Sequence, residues 1–191
     1  MSEVRYTLVA GGAGFLGSHL CKRLVDEGDR VLCVDNLYTG SLKNLKNLEG
    51  IDNFIFLKEN IIEHIRSELP IKRIFNLACP ASPANYQKDP IFTLRTCFEG
   101  SLNLLNIAKD LEIPIFQAST SEIYGDPLEH PQRISYWGNV NPIGIRSCYD
   151  EGKRVAETLF FDFHRTFNVD IKVARIFNTY GPYMDINDGR V

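Results

Sequence analysis

Leu8–Gly17 reads L-V-A-G-G-A-G-F-L-G, an apolar run that turns through glycines into an amphipathic segment. Gly11, Gly14 and Gly17 recur at every third position, where a strand has to become a helix. With no Cβ, the turn can be tight, the backbone at Gly14 can come close to an anion, and at Gly17 the helix can lie flat on its sheet. The first amides of that helix lack partners within it and carry a partial positive charge, which suits a phosphate. A plain strand-to-helix turn also uses glycines, so context decides. The next apolar run, Val31–Val34, ends in Asp35, eighteen residues beyond Gly17. A dinucleotide fold places there the carboxylate that accepts hydrogen bonds from the adenosine ribose. That charge repels a 2′-phosphate, so the pattern predicts NAD as cofactor over NADP.

The 191 residues suffice for one compact α/β domain, burying about 70% of the surface of the unfolded chain. Hydrophobic residues at 44% and charged residues at 24% are ordinary for a soluble globular protein. A net charge of −3 without a basic cluster argues against nucleic acid or an anionic membrane as partner. The first residues form no apolar signal region and no window is long enough to span a membrane, so a cytoplasmic location is expected. Five cysteines, Cys21, Cys33, Cys79, Cys97 and Cys148, show no C-x-x-C spacing. Neither a disulfide framework nor a metal site is predicted, only reduced and mostly buried thiols.

Apolar runs alternate with helical periodicity along the chain. Strands are predicted at Tyr6–Ala10, Arg30–Val34, Phe54–Leu57, Arg73–Leu77, Ile115–Ala118 and Ile171–Ile176, and helices at Phe15–Glu27, Leu42–Leu48, Ile61–Leu69, Ile91–Leu111 and Tyr149–Phe167. The alternation implies a parallel, doubly wound sheet of the Rossmann type. After the fourth strand, Pro80 and Pro83 forbid regular structure at the edge where parallel sheets bind ligands, which makes this loop a pocket wall. In the Ile91–Leu111 helix, Leu94, Phe98, Leu102, Leu105 and Ala108 form an apolar stripe for core or subunit contact. Leu159, Phe160, Phe163 and Phe167 offer more apolar surface. Gly125–Ile145 has too many prolines and glycines for regular structure, and Asn178–Val191 reads as loop.

Tyr149 and Lys153 lie four apart at a helix start and project from one face. A free phenol titrates near ~10, but an adjacent ammonium favours phenolate and brings it toward neutral pH. An ordinary surface turn would show the same spacing, so its position on this fold carries the weight. Ser119-Thr120-Ser121-Glu122 at the end of the fifth strand supplies hydroxyls for a substrate alcohol and one carboxylate, although Ser and Thr are also common cap residues.

Longer stretches carry a family resemblance: L-A-C-P-A-S-P at Leu77–Pro83, S-T-S-E-I-Y-G-D-P-L-E-H-P-Q at Ser119–Gln132, Y-W-G-N-V-N-P-I-G-I-R-S-C-Y-D-E-G-K at Tyr136–Lys153, and R-I-F-N-T-Y-G-P at Arg175–Pro182. Over almost its whole length the chain resembles the extended short-chain dehydrogenase/reductases, and within them the UDP-glucuronate decarboxylase branch. The resemblance implies oxidation of the sugar 4-hydroxyl by NAD⁺ with Tyr149, Lys153 and Thr120, loss of carbon dioxide from the 4-keto sugar, and return of the hydride to give UDP-xylose. Ser121 and Glu122 would handle the carboxylate end and protonation. For NAD it implies Gly11, Gly14, Phe15 and Leu16 at the turn, then Asp35, Asn36, Tyr38, Thr39 and Gly40 after the second strand. It adds Asn60, Ile61, Leu77, Cys79, Thr96 and Ala118, together with Tyr149, Lys153, Thr179 and Arg190. Tyr86, Arg95, Glu122 and Asn178 would contact the UDP-sugar, and the two long helices would form a homodimer. Sugar 4,6-dehydratases carry an acid where this chain has Ser121, which disfavours elimination. Epimerases, which usually lack the glutamate, are the runner-up.

Three positions depart from the branch: Ala10 in place of threonine, Asn60 in place of an aspartate at the adenine, and Cys97 in place of asparagine. Family members also continue into a smaller substrate domain, so residues 1–191 are read as the NAD-binding domain alone. A decarboxylase completed by other protein, an NAD-binding module without turnover and a dimerising fragment all fit that length.

Overall fold

The computed structural model of the chain describes residues 4–63, 65 and 69–185. Six parallel strands, β1 (Tyr6–Ala10), β2 (Val31–Val34), β3 (Phe54–Leu57), β4 (Ile71–Asn76), β5 (Ile115–Thr120) and β6 (Ile171–Ile176), form one sheet. Their order, β3-β2-β1-β4-β5-β6, reverses direction beside β1 and opens a crevice between the carboxyl ends of β1 and β4. The helices are α1 (Phe15–Asp26), α2 (Pro83–Tyr86), α3 (Pro90–Arg95), α4 (Ser101–Asp110) and α5 (Ser147–Phe167). The expected doubly wound fold is therefore observed.

The central strands β1 and β2 are buried along their whole length, so their alternate residues enter different cores. Leu8, Ala10, Leu32 and Val34 pack with Leu104, Leu105, Phe160 and Phe163 on one side. Val9, Val31 and Cys33 pack with Cys21, Leu24 and Val25 of α1 and with Leu45 and Leu48 of a 3₁₀ turn on the other.

Two expected helices differ. In Ile61–Leu69, the described residues Ile61–Glu63 form a turn, and residues 64 and 66–68 lie outside the described ones. The Asn103 amide donates to the Ile61 and Ile62 carbonyls at 2.9 and 2.8 Å, while Asn60 Oδ1 accepts from the Ile62 amide. These side chains satisfy the backbone groups a helix would have used. The Ile91–Leu111 helix is present but contains a π-helical segment, Thr96–Gly100, between α3 and α4. The wider turn shifts the side-chain phase. Leu105 and Ala108 enter the core, whereas Leu94 and Phe98 are each 40% exposed. Likewise Phe160 and Phe163 are core residues, whereas the apolar rings of Phe161 and Phe167 at that end of α5 stand exposed.

β5 continues two residues past the expected end, because Ser119 and Thr120 pair in register with Arg175 and Ile176. Among the described residues, no helix is long and apolar enough to cross a membrane, and no group of His, Cys, Asp and Glu could hold a metal ion.

Candidate active site

The glycine turn closes as its sequence requires. Gly11 has φ +77°, and a Cβ there would lie 2.7 Å from the Ala78 amide nitrogen. A Cβ on Gly17 would sit 2.1 Å from the Gly11 carbonyl, so only glycine lets α1 pack this closely. At Gly14 the nearest atom to a Cβ is that same carbonyl at 3.3 Å, which leaves the outer side of the turn open. Asp35, 8% exposed, accepts from the Ala13 amide at 3.0 Å and the Leu37 amide at 2.8 Å. Burial raises its pKa, and these two amides oppose the rise. A Cβ on Gly40 would meet both Asp35 oxygens at about 3 Å. The cleft is lined by Gly11, Asp35, Asn36, Tyr38, Thr39, Asn60, Ile61, Leu77, Cys79 and Thr96, among others. Tyr38 leans on Phe92 with ring centroids 4.6 Å apart, walling its outer end. An open glycine cradle, a helix N-terminus and a buried carboxylate in one crevice fit a dinucleotide.

At the end of β5 the candidate reacting groups converge. Tyr149 and Lys153 are 7% and 5% exposed. Lys153 donates to the Ala118 carbonyl at 2.9 Å and stands 5.8 Å from the centre of the Tyr149 ring. Thr120 favours the ionised form of the phenol, and its Oγ1 accepts from the Glu122 amide. Tyr86 stacks on Tyr149 with centroids 4.9 Å apart and planes 7° from parallel, fixing the ring. The expectation that Lys153 lowers the phenol's pKa is half met. Burial raises it, and Lys153 and Thr120 pull against that rise without overcoming it.

Beside this cluster Glu122 forms an ion pair with Arg146. Both line a second, open cleft with Ser121, Asn141, Asp150 and Phe177. Asp150 Oδ1 is buried there without a hydrogen-bond partner, and burial lifts its pKa to about 6. Underneath, Glu157 accepts from Ser119 at 2.5 Å and from Arg175 at 2.8 Å, while Arg175 donates to the Tyr124 hydroxyl at 2.8 Å. This network clamps α5 to β5 and β6. Arg146, Asp150, Glu157 and Arg175 escaped the sequence reading, although Glu157 continues the four-residue spacing of Tyr149 and Lys153 on the same helix face.

Other expected residues are placed as follows. Phe15 and Leu16 open α1. Asn60 lines the cleft, with its amide oxygen engaged by the Ile62 amide. Arg95 is absent from both clefts and is paired on the exposed helix surface with Glu99 at 2.8 Å. Asn178 and Thr179 follow β6 in exposed chain, and Arg190 lies outside the described residues.

The fold and site together match a known class of protein. The family model for GDP-mannose 4,6 dehydratase matches residues 8–188, and the chain belongs to that family. Within it, the chain is 55% identical over 96% of its length to UDP-glucuronic acid decarboxylase 6 of Arabidopsis thaliana, covering 53% of that protein. It is 50% identical over 96% of its length to UDP-glucuronic acid decarboxylase 1 of Xenopus tropicalis, covering 43% of it. The chain thus spans about half the length of these relatives. Among solved structures, the UDP-glucose 4-epimerase of Thermotoga maritima superposes with TM-score 0.83 at 30% identity, over 94% of this chain and 58% of that one. A dTDP-glucose 4,6-dehydratase from Streptomyces venezuelae, solved with NAD bound, gives 0.84 at 26% identity, over 94% and 57%.

Proposed function

We propose that this chain carries the NAD site and the reacting groups of a UDP-glucuronate decarboxylase. The carrying observation is the grouping of Thr120, Tyr149 and Lys153 at the end of β5, with Glu122 and the non-acidic Ser121 next in sequence. When bound, NAD⁺ supplies a hydride acceptor for the sugar C4 carbon and later returns that hydride. The glycine turn and the N-terminus of α1 hold its pyrophosphate, Asp35 takes the adenosine ribose, and Lys153 serves the nicotinamide ribose.

Tyr149 Oη, as phenolate, accepts the proton of the sugar 4-hydroxyl, and the Thr120 hydroxyl orients that group. The ketone at C4 is then β to the carboxylate. The bond from C5 to the carboxyl carbon breaks, its electron pair moves into the C4 carbonyl, and a proton returns to C5 as the carbonyl reforms. Ser121 and Glu122 lie at the carboxylate end, where Arg146 holds Glu122 in place. With serine at position 121, the site lacks at that position the acid that a 4,6-dehydratase uses to protonate a departing 6-hydroxyl, which disfavours elimination.

The test is release of labelled carbon dioxide from carboxyl-labelled UDP-glucuronate with NAD⁺ and purified protein. Release that disappears in Tyr149→Phe supports the reading. Calorimetric NAD binding with no release supports an NAD-binding module instead. A redox-neutral epimer as the only product supports the epimerase alternative.

We also propose a homodimer through the two long helices, since Leu94, Phe98 and Phe161 leave apolar surface open on them. A monomer in sedimentation at high concentration overturns it. A cytoplasmic location accords with the sequence and is tested by fractionation.

A further inference from the structure

Two sulfurs meet at the floor of the cofactor cleft. Cys79 follows β4, lines the cleft and is partly exposed. Cys97 sits eighteen residues later, in the π-helical segment, 2% exposed. Their Sγ atoms are 3.3 Å apart. Cys97 is backed by α5, because a Cβ on Gly152 would meet both its Cβ and its Sγ at 3.1 Å. A disulfide bond needs about 2.05 Å, so a closure of little more than an ångström joins the pair.

The two thiols are unequal. Burial opposes ionisation of Cys79, but the Cys97 thiol hydrogen-bonded to it and the Lys153 ammonium outweigh burial and hold its pKa below the ordinary value. Cys97 is pushed well above its own by the same hydrogen bond and by burial. A nucleophilic thiol in the wall of a cleft, in contact with a buried second thiol, is the arrangement of an attacking and a resolving cysteine. The other cysteines lack it. Cys21 and Cys33 are both fully buried under the glycine turn, and Cys148 points its thiol at the Tyr86 carbonyl, 3.6 Å away.

We propose that Cys79 and Cys97 form a site of reversible oxidation by peroxides, whose disulfide distorts the cofactor cleft. The Cys79 thiolate attacks one peroxide oxygen, the O–O bond breaks and a sulfenic acid forms, with hydroxide leaving and taking up the thiol proton as water. The Cys97 sulfur then attacks Cys79 sulfur, the S–O bond breaks, and the oxygen leaves as water with the Cys97 proton. Two thiols and one hydrogen peroxide become one disulfide and two waters, and a dithiol reductant reverses the change. As Cys79 moves toward Cys97 it leaves the Pro80 carbonyl, which its thiol meets at 3.3 Å. It also drags the Leu77–Pro80 backbone, against which Gly11 is packed with no spare room.

The experiment treats the whole chain with hydrogen peroxide and maps peptides without reduction. The expected product has lost two hydrogen atoms and links the Cys79 and Cys97 peptides. A link through Cys21, Cys33 or Cys148, or a chain that keeps five free thiols, overturns the proposal. In Cys97→Ser, a sulfenic-acid probe should label Cys79 and no crosslink should form; absence of label in this folded variant overturns the order of attack. Calorimetry of reduced and oxidised wild-type protein should show NAD binding at least about tenfold weaker after oxidation. Equal affinities overturn the distortion. This arm rests on the NAD reading, and failure of NAD to bind the reduced chain refutes that reading while the peptide map still decides the thiol chemistry.

Discussion

The two edges of one sheet treat their charged groups in opposite ways. At the amino edge Asp29, just before β2, is bonded by Thr7 at 2.7 Å, Lys72 at 2.5 Å and Arg73 at 2.6 Å. Burial alone would raise its pKa, but these donors outweigh it and bring the carboxyl down to about 2. At the carboxyl edge the balance reverses. Asp35, Tyr149 and Asp150 all have raised pKa values, with burial the leading cause in each. One edge spends its polar groups on each other and holds β1 to β4. The other leaves Asp35, Tyr149 and Asp150 buried and incompletely neutralised, where a ligand can complete them, the arrangement expected of a reacting site.

The sharpest way to break this contrast is to remove the phenol oxygen at the carboxyl edge. Tyr149→Phe keeps the ring stacked on Tyr86, so thermal unfolding should move little. Carbon dioxide release should fall by about a thousandfold, within the range for loss of a general base. Because burial holds the phenol above its ordinary pKa, the wild-type rate should climb with pH beyond neutrality, by about tenfold per unit while phenolate is scarce. A large loss of stability in Tyr149→Phe, or a rate independent of pH, would place this residue with the structural groups.

Glu157 tests whether the carboxyl edge has its own clamp. It is buried between Ser119 and Arg175, and Glu157→Ala leaves that guanidinium without its carboxylate. Such a loss costs about 3 kcal/mol or more, readable as a lowered urea midpoint. NAD affinity should change much less, since the glycine turn lies across the sheet. Next in size is Asp29→Asn. A carboxyl with pKa about 2, against 3.8 in the reference state, contributes about 2 kcal/mol at pH 7. The folded pKa is depressed, so this stability is present above about pH 5 and is lost as the pH falls toward 2. Wild type and variant should therefore differ at pH 7 and converge near pH 2 in denaturant titrations.

The same contrast explains what could be read in the sequence. β1, β3 and β6 have the expected boundaries to the residue, and each is dominated by aliphatic, β-branched and aromatic side chains. Gly11, Asp35, Thr120, Tyr149 and Lys153 could be singled out because each follows a strand or opens a helix at a spacing tied to a stated chemistry. What was missed depends on contacts between distant segments. Asn103 satisfies the carbonyls of Ile61 and Ile62 and removes an expected helix turn. The π-helical segment turns Leu94 and Phe98 outward although their spacing reads as core. Glu157 finds Arg175 across eighteen residues, and Cys79 finds Cys97 across the same interval. No local pattern encodes such pairs, since each arises only when α5 and the π-helical segment pack on the sheet.

Asp150 gives the smallest and most pointed test, because it reverses the sign expected of a lost carboxylate. It sits at the carboxyl edge, one residue beyond Tyr149, with one oxygen buried and unbonded. Its pKa of about 6 lies above the reference 3.8, so the folded chain binds the proton more tightly than the unfolded one. Between those values stability falls as the pH rises, and at pH 7 the ionised group is a net cost. The full shift corresponds to about 3 kcal/mol; the group is only half buried, and solvent screening reduces the expected effect to about 1 kcal/mol. Asp150→Asn removes the charge and keeps the shape, so the variant should be more stable than wild type at pH 7, with the gain fading below pH 4. A variant less stable at pH 7 would show that this carboxylate is held by partners as Asp29 is, and the division between the two edges would fail at the residue nearest the phenol.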